Sequence, residues 1–158
     1  MANGPFFGAI PAIAAGTTND KYTIHMPAAS ASQQGTARVL EVRFTGQATA
    51  TAAQQTRVVR PTTAGATPTA LTLGFPSPNF VSPKAGMASA WTTQPVLPAS
   101  GVGDLLNESW NAYGGLVRWL AAPGEEILVF QNMLTGQLSC RDVTSNGTGS
   151  YGAVWDEY

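Results

Sequence analysis

The sequence is poor in the residues that carry chemistry. Charged side chains make up only 11% of the 158 residues, against about 25% in a typical soluble domain. The 8 basic and 9 acidic residues leave no positive excess, which argues against binding to a nucleic-acid backbone. The single cysteine, Cys140, excludes a disulfide within the chain. The single histidine, His25, leaves too few nitrogen and sulfur ligands for a typical zinc site, and we expect a structural role for it.

No segment has the pattern of a signal peptide or of a membrane span. The apolar run near the N-terminus follows no basic residues and is interrupted by Gly8 and Pro11. We therefore expect no membrane partner and no secretion through a signal peptide.

The candidates for acid or base catalysis are few. A catalytic triad would have to use His25, and Cys140 is expected to be inert because strand alternation separates it from Arg141. Each candidate carboxylate lies in a turn or at a strand end, where solvated acids are expected. These residues are Asp104, Glu108, Glu125, Glu126, Asp142, Asp156 and Glu157. With no phosphate-binding or dinucleotide motif present, the sequence predicts neither an enzyme nor a cofactor nor a metal site.

What the sequence does contain is a succession of short strands separated by Gly, Pro and Thr. The clearest alternation places Leu40, Val42 and Phe44 on one face and Glu41 and Arg43 on the other. Strands are predicted at residues 21–26, 37–46, 56–60, 71–75, 87–93, 116–120, 127–130, 137–143 and 150–158.

Two local elements complete this prediction. Pro123-Gly124 suits the centre of a tight turn, so the runs Leu116–Leu120 and Ile127–Phe130 are predicted to form a β-hairpin. Residues 100–113 are the one candidate for a helix, because Asp104 could cap it and apolar residues follow at a spacing of four.

The predicted architecture is all-β: a single-domain antiparallel β-sandwich or jelly roll of about eight strands, with at most one short helix. Residues 20–158 form this domain. Its predicted core residues are Leu40, Val42, Phe44, Val117, Trp119, Leu128, Phe130 and Trp155.

The first 19 residues form an apolar segment for which two interpretations stay open. It is either an edge strand of the same domain or an arm that docks onto a partner. In the second case Phe6, Phe7, Ile10 and Ile13 are the predicted partner contacts.

The C-terminal third resembles a known family. The stretches YGGLVRWLAAPGEEILVFQN and LSCRDVTSNGTGSYGAVWDEY, within residues 110–158, resemble the closing strands of jelly-roll decoration (cement) proteins of tailed-bacteriophage capsids. The resemblance implies a non-enzymatic virion protein, commonly a homotrimer, bound to the major capsid protein on the outer capsid surface at three-fold or quasi-three-fold positions. It implies synthesis in the host cytoplasm and no catalytic residues.

A second hypothesis is a carbohydrate- or cell-surface-binding module of lectin or adhesin type, on a phage tail or a bacterial surface. In that case exposed aromatic residues such as Trp91 or Trp110 would stack on sugar rings.

Overall fold

The computed structural model describes residues 3–26, 35–74, 84–131 and 136–158. Within these ranges the chain forms strands and no helix. The eleven strands are β1 Asn3–Ile13, β2 Tyr22–His25, β3 Thr36–Gly46, β4 Ala53–Val59, β5 Ala66–Ala70, β6 Gly86–Thr93, β7 Asp104–Asn111, β8 Leu116–Leu120, β9 Ile127–Phe130, β10 Gln137–Ser145 and β11 Gly149–Glu157. No described segment forms a helix long and apolar enough to cross a membrane.

These strands build two antiparallel sheets, as the sequence predicts for a β-sandwich. Sheet A has the order β1-β11-β3-β8, and β9 also pairs with β3. Sheet B has the order β5-β6-β2-β10-β4-β7. Residues 3–13, for which the sequence left an arm and an edge strand open, form β1 and are hydrogen-bonded to β11 at the edge of sheet A.

The inner faces of the two sheets enclose one hydrophobic core. Its largest fully buried apolar side chains are Trp155, Tyr22, Tyr151, Phe6, Phe44, Ile24 and Met87. At one end Phe44, Trp110 and Tyr151 form an aromatic cluster with ring centroids 6.0 to 6.3 Å apart. One of these contacts is stacked, one is tilted and one is edge-on, and such aromatic contacts add to the free energy of burial.

The predicted alternation in β3 is interrupted by a bulge. Val154 of β11 lies opposite Glu41, but the next residue, Trp155, lies opposite Val39, so Leu40 is the extra residue. Val39 and Val42 are therefore both buried, and Leu40 lies outside the core. The prediction of Leu40 as a core residue was wrong for this reason.

The predicted hairpin was wrong, although its turn is present. The Glu125 N–H donates to the Ala122 carbonyl oxygen at 2.9 Å, and Gly124 has φ of 88°, as expected for a Pro-Gly turn. However, β8 and β9 do not pair with each other. Both pair with β3, so they follow one another along the same neighbouring strand.

This arrangement also inverts the predicted orientation of β9. Ile127 and Val129 are buried, whereas Phe130 is 37% exposed and Leu128 lies outside the core cluster. β9 aligns with the part of β3 that precedes the bulge, whereas β8 aligns with the part that follows it. The inward-facing positions of β9 are therefore Ile127 and Val129. Of the remaining predicted core residues, Val42, Phe44 and Trp155 are buried, and Val117 and Trp119 are partly buried against the core.

The predicted short helix was also wrong. Residues 104–111 form β7, which pairs with β4 along its whole length. Leu106 and Trp110 lie on the same face in either structure, because a spacing of four satisfies both periodicities. The long-range pairing with β4 decides the outcome, and Asp104 binds Arg57 instead of capping a helix.

Candidate functional site

The carboxylate of Asp142 is buried inside the sandwich, where the residue is 2% exposed. The expectation of a solvated acid at this position was wrong, because Asp142 lies on the inward face of β10 together with Leu138 and Cys140. Five donors surround it: Thr56 Oγ1 at 2.6 Å, Gln54 Nε2 at 2.6 Å, Ser145 Oγ at 2.9 Å, Tyr151 OH at 2.9 Å and Lys21 Nζ at 3.2 Å.

The donors around Asp142 are themselves held by further partners. Trp110 Nε1 donates to Thr56 Oγ1 at 2.9 Å, and Lys21 Nζ donates to the Ala14 carbonyl oxygen at 2.9 Å. A buried carboxylate with this many donors has its acceptor positions filled and is closed to substrate. The Asp142 cluster therefore has the properties of a structural centre.

The thiol of Cys140, beside this cluster, and the phenol of Tyr151, within it, are held in their neutral forms. Burial raises the pKa of Cys140 well above its ordinary value, and the charges of Asp142 and Asp20 raise it further. Burial, followed by the charge of Asp142, also raises the pKa of Tyr151 far above its ordinary range. Because the thiolate is the nucleophilic form, Cys140 is poorly suited to attack a substrate.

A second polar cluster lies on the outer side of sheet B. Arg141 Nε donates to Asp20 Oδ1 at 2.6 Å, and Thr23 Oγ1 donates to Asp20 Oδ2 at 2.8 Å. Trp91 Nε1 extends this series of hydrogen bonds by donating to Thr23 Oγ1 at 3.0 Å. Burial raises the pKa of Asp20 despite the attraction of Arg141.

Loops cover this outer side of sheet B. Arg141 Nη2 donates to the Pro95 carbonyl oxygen at 3.0 Å, and Arg57 Nη2 donates to the Pro98 carbonyl oxygen at 2.9 Å. The covering loop is tied to residues 62–63 through the main chain of Val96. Two arginines of the sheet thus hold the loop in place.

Most of the remaining acidic candidates have partners within the protein. Asp104 pairs with Arg57 and Asp156 with Arg38, while Glu157 accepts hydrogen bonds from the main chain at residues 84 and 85. Glu126 accepts a hydrogen bond from the Gly124 N–H. In the described ranges, Glu108 and Glu125 are exposed and have no side-chain partner.

His25 lies half-buried in β2 against the edge of Trp91, with ring centroids 5.4 Å apart. Burial lowers the pKa of the imidazole. Across the part of the chain that the structure describes, no three His, Cys, Asp or Glu side chains come together as they would around a metal ion.

Both tryptophans predicted as sugar platforms are buried. Trp91 and Trp110 are 9% and 8% exposed, and each indole N–H has a hydroxyl partner inside the protein. Neither offers a free ring face of the kind that sugar stacking requires, so the interpretation of these two residues as exposed was wrong.

The four predicted partner-contact residues divide between two environments. Phe6 is completely buried and packs near Trp155 at a centroid distance of 6.2 Å, while Ile10 and Ile13 pack partly buried against the core. Phe7 is half-buried and borders a shallow depression of about 190 Å³. The predicted contacts with a partner stay a prediction.

The outer face of sheet A, in contrast to that of sheet B, presents exposed apolar side chains. In β8, Val117 and Trp119 pack against the core, so Leu116, Arg118 and Leu120 point away from it. Leu116 is 65% and Leu120 is 56% exposed. Between them Arg118 forms a two-pronged ion pair with Glu41 of the neighbouring strand, at 2.7 and 3.0 Å.

The hydrogen bonds from Arg118 lower the pKa of the Glu41 carboxyl. Arg43 Nε also contacts Glu41, at 2.8 Å. This outer face therefore combines apolar side chains with charges that are already paired, which lowers the cost of removing water from it.

No protein-family model, curated protein or solved structure matches this chain.

Proposed function

We propose that this protein is a structural virion component that binds the outer surface of a phage capsid lattice and stabilises it. The observation that carries the proposal is the outer face of sheet A, where Leu116 and Leu120 are exposed beside an internally paired Glu41. The groups suited to chemistry, Asp142 and Cys140, are buried and satisfied or neutral. Such a distribution suits adhesion.

The resemblance of residues 110–158 to capsid decoration proteins supports the same function. On this proposal the partner is the major capsid protein, the assembled protein is a homotrimer, and its location is the capsid surface of the virion. The low charge content agrees, since few charges have to be stripped of water when the surface is covered.

The test uses empty, expanded capsids of the phage whose genome encodes the chain. We expect the purified protein to sediment with these capsids and to raise the temperature at which they break. The double variant Leu116→Glu with Leu120→Glu should lose most of this binding, because it places two charges in a desolvated contact. Val102→Glu is the matched control, since Val102 is 59% exposed in a loop outside this face.

Two results would contradict the proposal. One is a wild-type protein that does not sediment with capsids at any ratio. The other is binding to glycans on an array without binding to capsids, which would favour the carbohydrate-binding hypothesis.

A further inference from the structure

In the described part of the chain, two strand edges on one flank of the sandwich have no neighbouring strand. Within the described strands, β7 is hydrogen-bonded only to β4, and β8 and β9 only to β3. Proteins usually protect such edges with proline, lysine or a covering segment. β7, β8 and β9 contain neither proline nor lysine. We call this side, with strands β7, β8 and β9, the open flank.

The opposite flank is protected in the usual ways. Edge strand β5 contains Pro68, and edge strand β1 contains Pro5 and Pro11. The main chains of Phe7 and Gly74 are also hydrogen-bonded to each other, at 2.9 and 3.2 Å, which covers part of the β1 edge. The difference between the two flanks suggests that the open flank is covered by a partner.

A groove of about 370 Å³ lies in the open flank between the two sheets. Its walls are mostly apolar and include Leu105, 41% exposed, and Phe130, 37% exposed. Arg60 and Glu125 line the same groove.

Arg60 is the one arginine without a carboxylate partner in the described ranges. The other five arginines all form ion pairs. All nine acidic residues lie in the described ranges. Among the described residues, the Arg60 guanidinium donates only to the Leu128 carbonyl oxygen, at 2.6 Å, and burial lowers the pKa of Arg60. A half-buried cation without a counter-charge is costly, and a partner carboxylate would offset that cost.

Glu125 is the complementary group. It is exposed and its carboxylate has no partner in the described part of the chain. Within the described residues, the groove thus carries one cation and one anion without a charged partner, Arg60 and Glu125, together with apolar walls. Two copies of the groove are complementary, because the cation of one can pair with the anion of the other. An anionic ligand would instead be repelled by Glu125 and by Glu126 beside it.

We propose that a second copy of this chain covers the open flank, with Arg60 of one copy paired to Glu125 of its neighbour. Leu105 and Phe130 are then buried between the copies. Closed arrangements of two or of three copies both give every Arg60 one Glu125. The inference rests on the proposed function only in expecting copies of the chain to associate.

The test is the mass of the full chain by sedimentation equilibrium over a range of concentrations. The wild type is expected to form a dimer or trimer, and Arg60→Glu, Glu125→Arg and Leu105→Glu should each weaken association at least about tenfold. The double variant Arg60→Glu with Glu125→Arg should restore most of it, because the pair is re-formed with the charges exchanged.

Matched controls separate this interface from general effects of charge. Val102→Glu places a glutamate on an exposed apolar residue, as Leu105→Glu does, but outside the open flank. Glu108→Arg reverses the charge of an exposed acid on β7 that has no partner in the described residues, as Glu125→Arg does in the turn. Neither should restore association when combined with Arg60→Glu. Because Arg60 also holds the Leu128 carbonyl, thermal unfolding checks its variants, and Glu125→Arg in the exposed turn tests the pair independently.

A monomeric wild type at all concentrations would overturn the inference. So would an oligomer that is insensitive to the Leu105 and Glu125 variants, or one that Glu108→Arg restores. An oligomer that behaves as expected but does not bind capsids would leave the inference standing and refute the proposed function. Capsid binding by a protein that is monomeric in solution would refute the inference and leave capsid attachment standing without a preformed homotrimer.

Discussion

Single residues show how this protein tolerates polar groups in its interior. Asp142 accepts hydrogen bonds or an ion pair from five side chains contributed by the loop before β2 and by strands β4, β10 and β11. A buried ion is retained at acceptable cost only when its partners are complete.

Removing the Asp142 carboxylate should therefore destabilise the folded protein strongly. We expect Asp142→Ala to lower the free energy of unfolding by roughly 3 to 5 kcal/mol, because Lys21 is left buried without its counter-charge. Urea unfolding measures the change. Glu108→Ala, at an exposed acid that has no side-chain partner among the described residues, is the control and should stay within about 0.5 kcal/mol. Similar losses in both variants would contradict the role of the cluster.

The single histidine makes one pH dependence assignable. Burial lowers the pKa of His25 below 6.5 in the folded protein. Between the folded and unfolded pKa values the unfolded chain binds more protons, so stability falls as the pH drops below about 6.5. We expect His25→Gln to flatten the unfolding free energy measured by urea between pH 5 and pH 7. An unchanged slope in the variant would show that another group titrates there.

Alanine variants of the neighbouring residues Phe6 and Phe7 should differ in stability, because the first side chain is in the core and the second is near the surface. Phe6 is fully buried and Phe7 is half-buried on the opposite face of β1. Phe6→Ala is expected to cost about 3 to 5 kcal/mol of stability, and Phe7→Ala clearly less. Equal losses in chemical unfolding would mean that β1 packs through both faces.

At the scale of elements, the turn at Pro123-Gly124 is a local feature that the sequence specifies. Gly124 has φ of 88°, where a side chain is strained. We expect Gly124→Ala to destabilise the protein by about 1 kcal/mol. Gly16, which has open space around it and no positive φ, is the matched control, and Gly16→Ala should be nearly neutral. Thermal unfolding of the two variants makes the comparison.

The sequence could predict strands and turns but not which strands pair. The alternation in β3 correctly identified Val42 and Phe44, and the Pro-Gly dipeptide correctly identified a turn. The partner of β8 and β9 is β3, which lies about eighty residues earlier. A local sequence pattern cannot predict pairing between strands that are so far apart in the chain. The helix predicted at residues 100–113 failed for the same reason, since pairing with β4 overrides a local spacing that fits both structures.

The candidate surfaces were still harder to predict. A lone Arg60 between a strand and a proline looks like any solvated arginine until the strands β7 and β9 are placed beside it. Trp91 and Trp110 looked like exposed platforms because their hydroxyl partners, Thr23 and Thr56, are distant in sequence. Asp142 was expected to be solvated near the end of a strand, because its five partners come from segments that are distant in sequence or from the following turn.

At the scale of the whole molecule, the sheets should differ in how readily they open. β3 and β11 are flanked by strands on both sides, whereas β5 is an edge strand whose residues are all exposed. Local openings are easiest where few apolar groups are buried. We expect hydrogen exchange followed by mass spectrometry to be slowest in β3 and β11 and fast in β5. Comparable protection of β5 would imply that another chain covers it.

The pairing of β1 with β11 also determines how the sandwich would respond to a pulling force. Asn3 lies directly opposite Glu157, and the two strands run antiparallel from that point. Since antiparallel hydrogen bonds lie perpendicular to the strands, tension applied between residues 3 and 157 would load these bonds one after another. The hydrogen bonds between β1 and β11 would then break in sequence at low force. Tension applied along a strand would be resisted by many hydrogen bonds at once and would need a higher force.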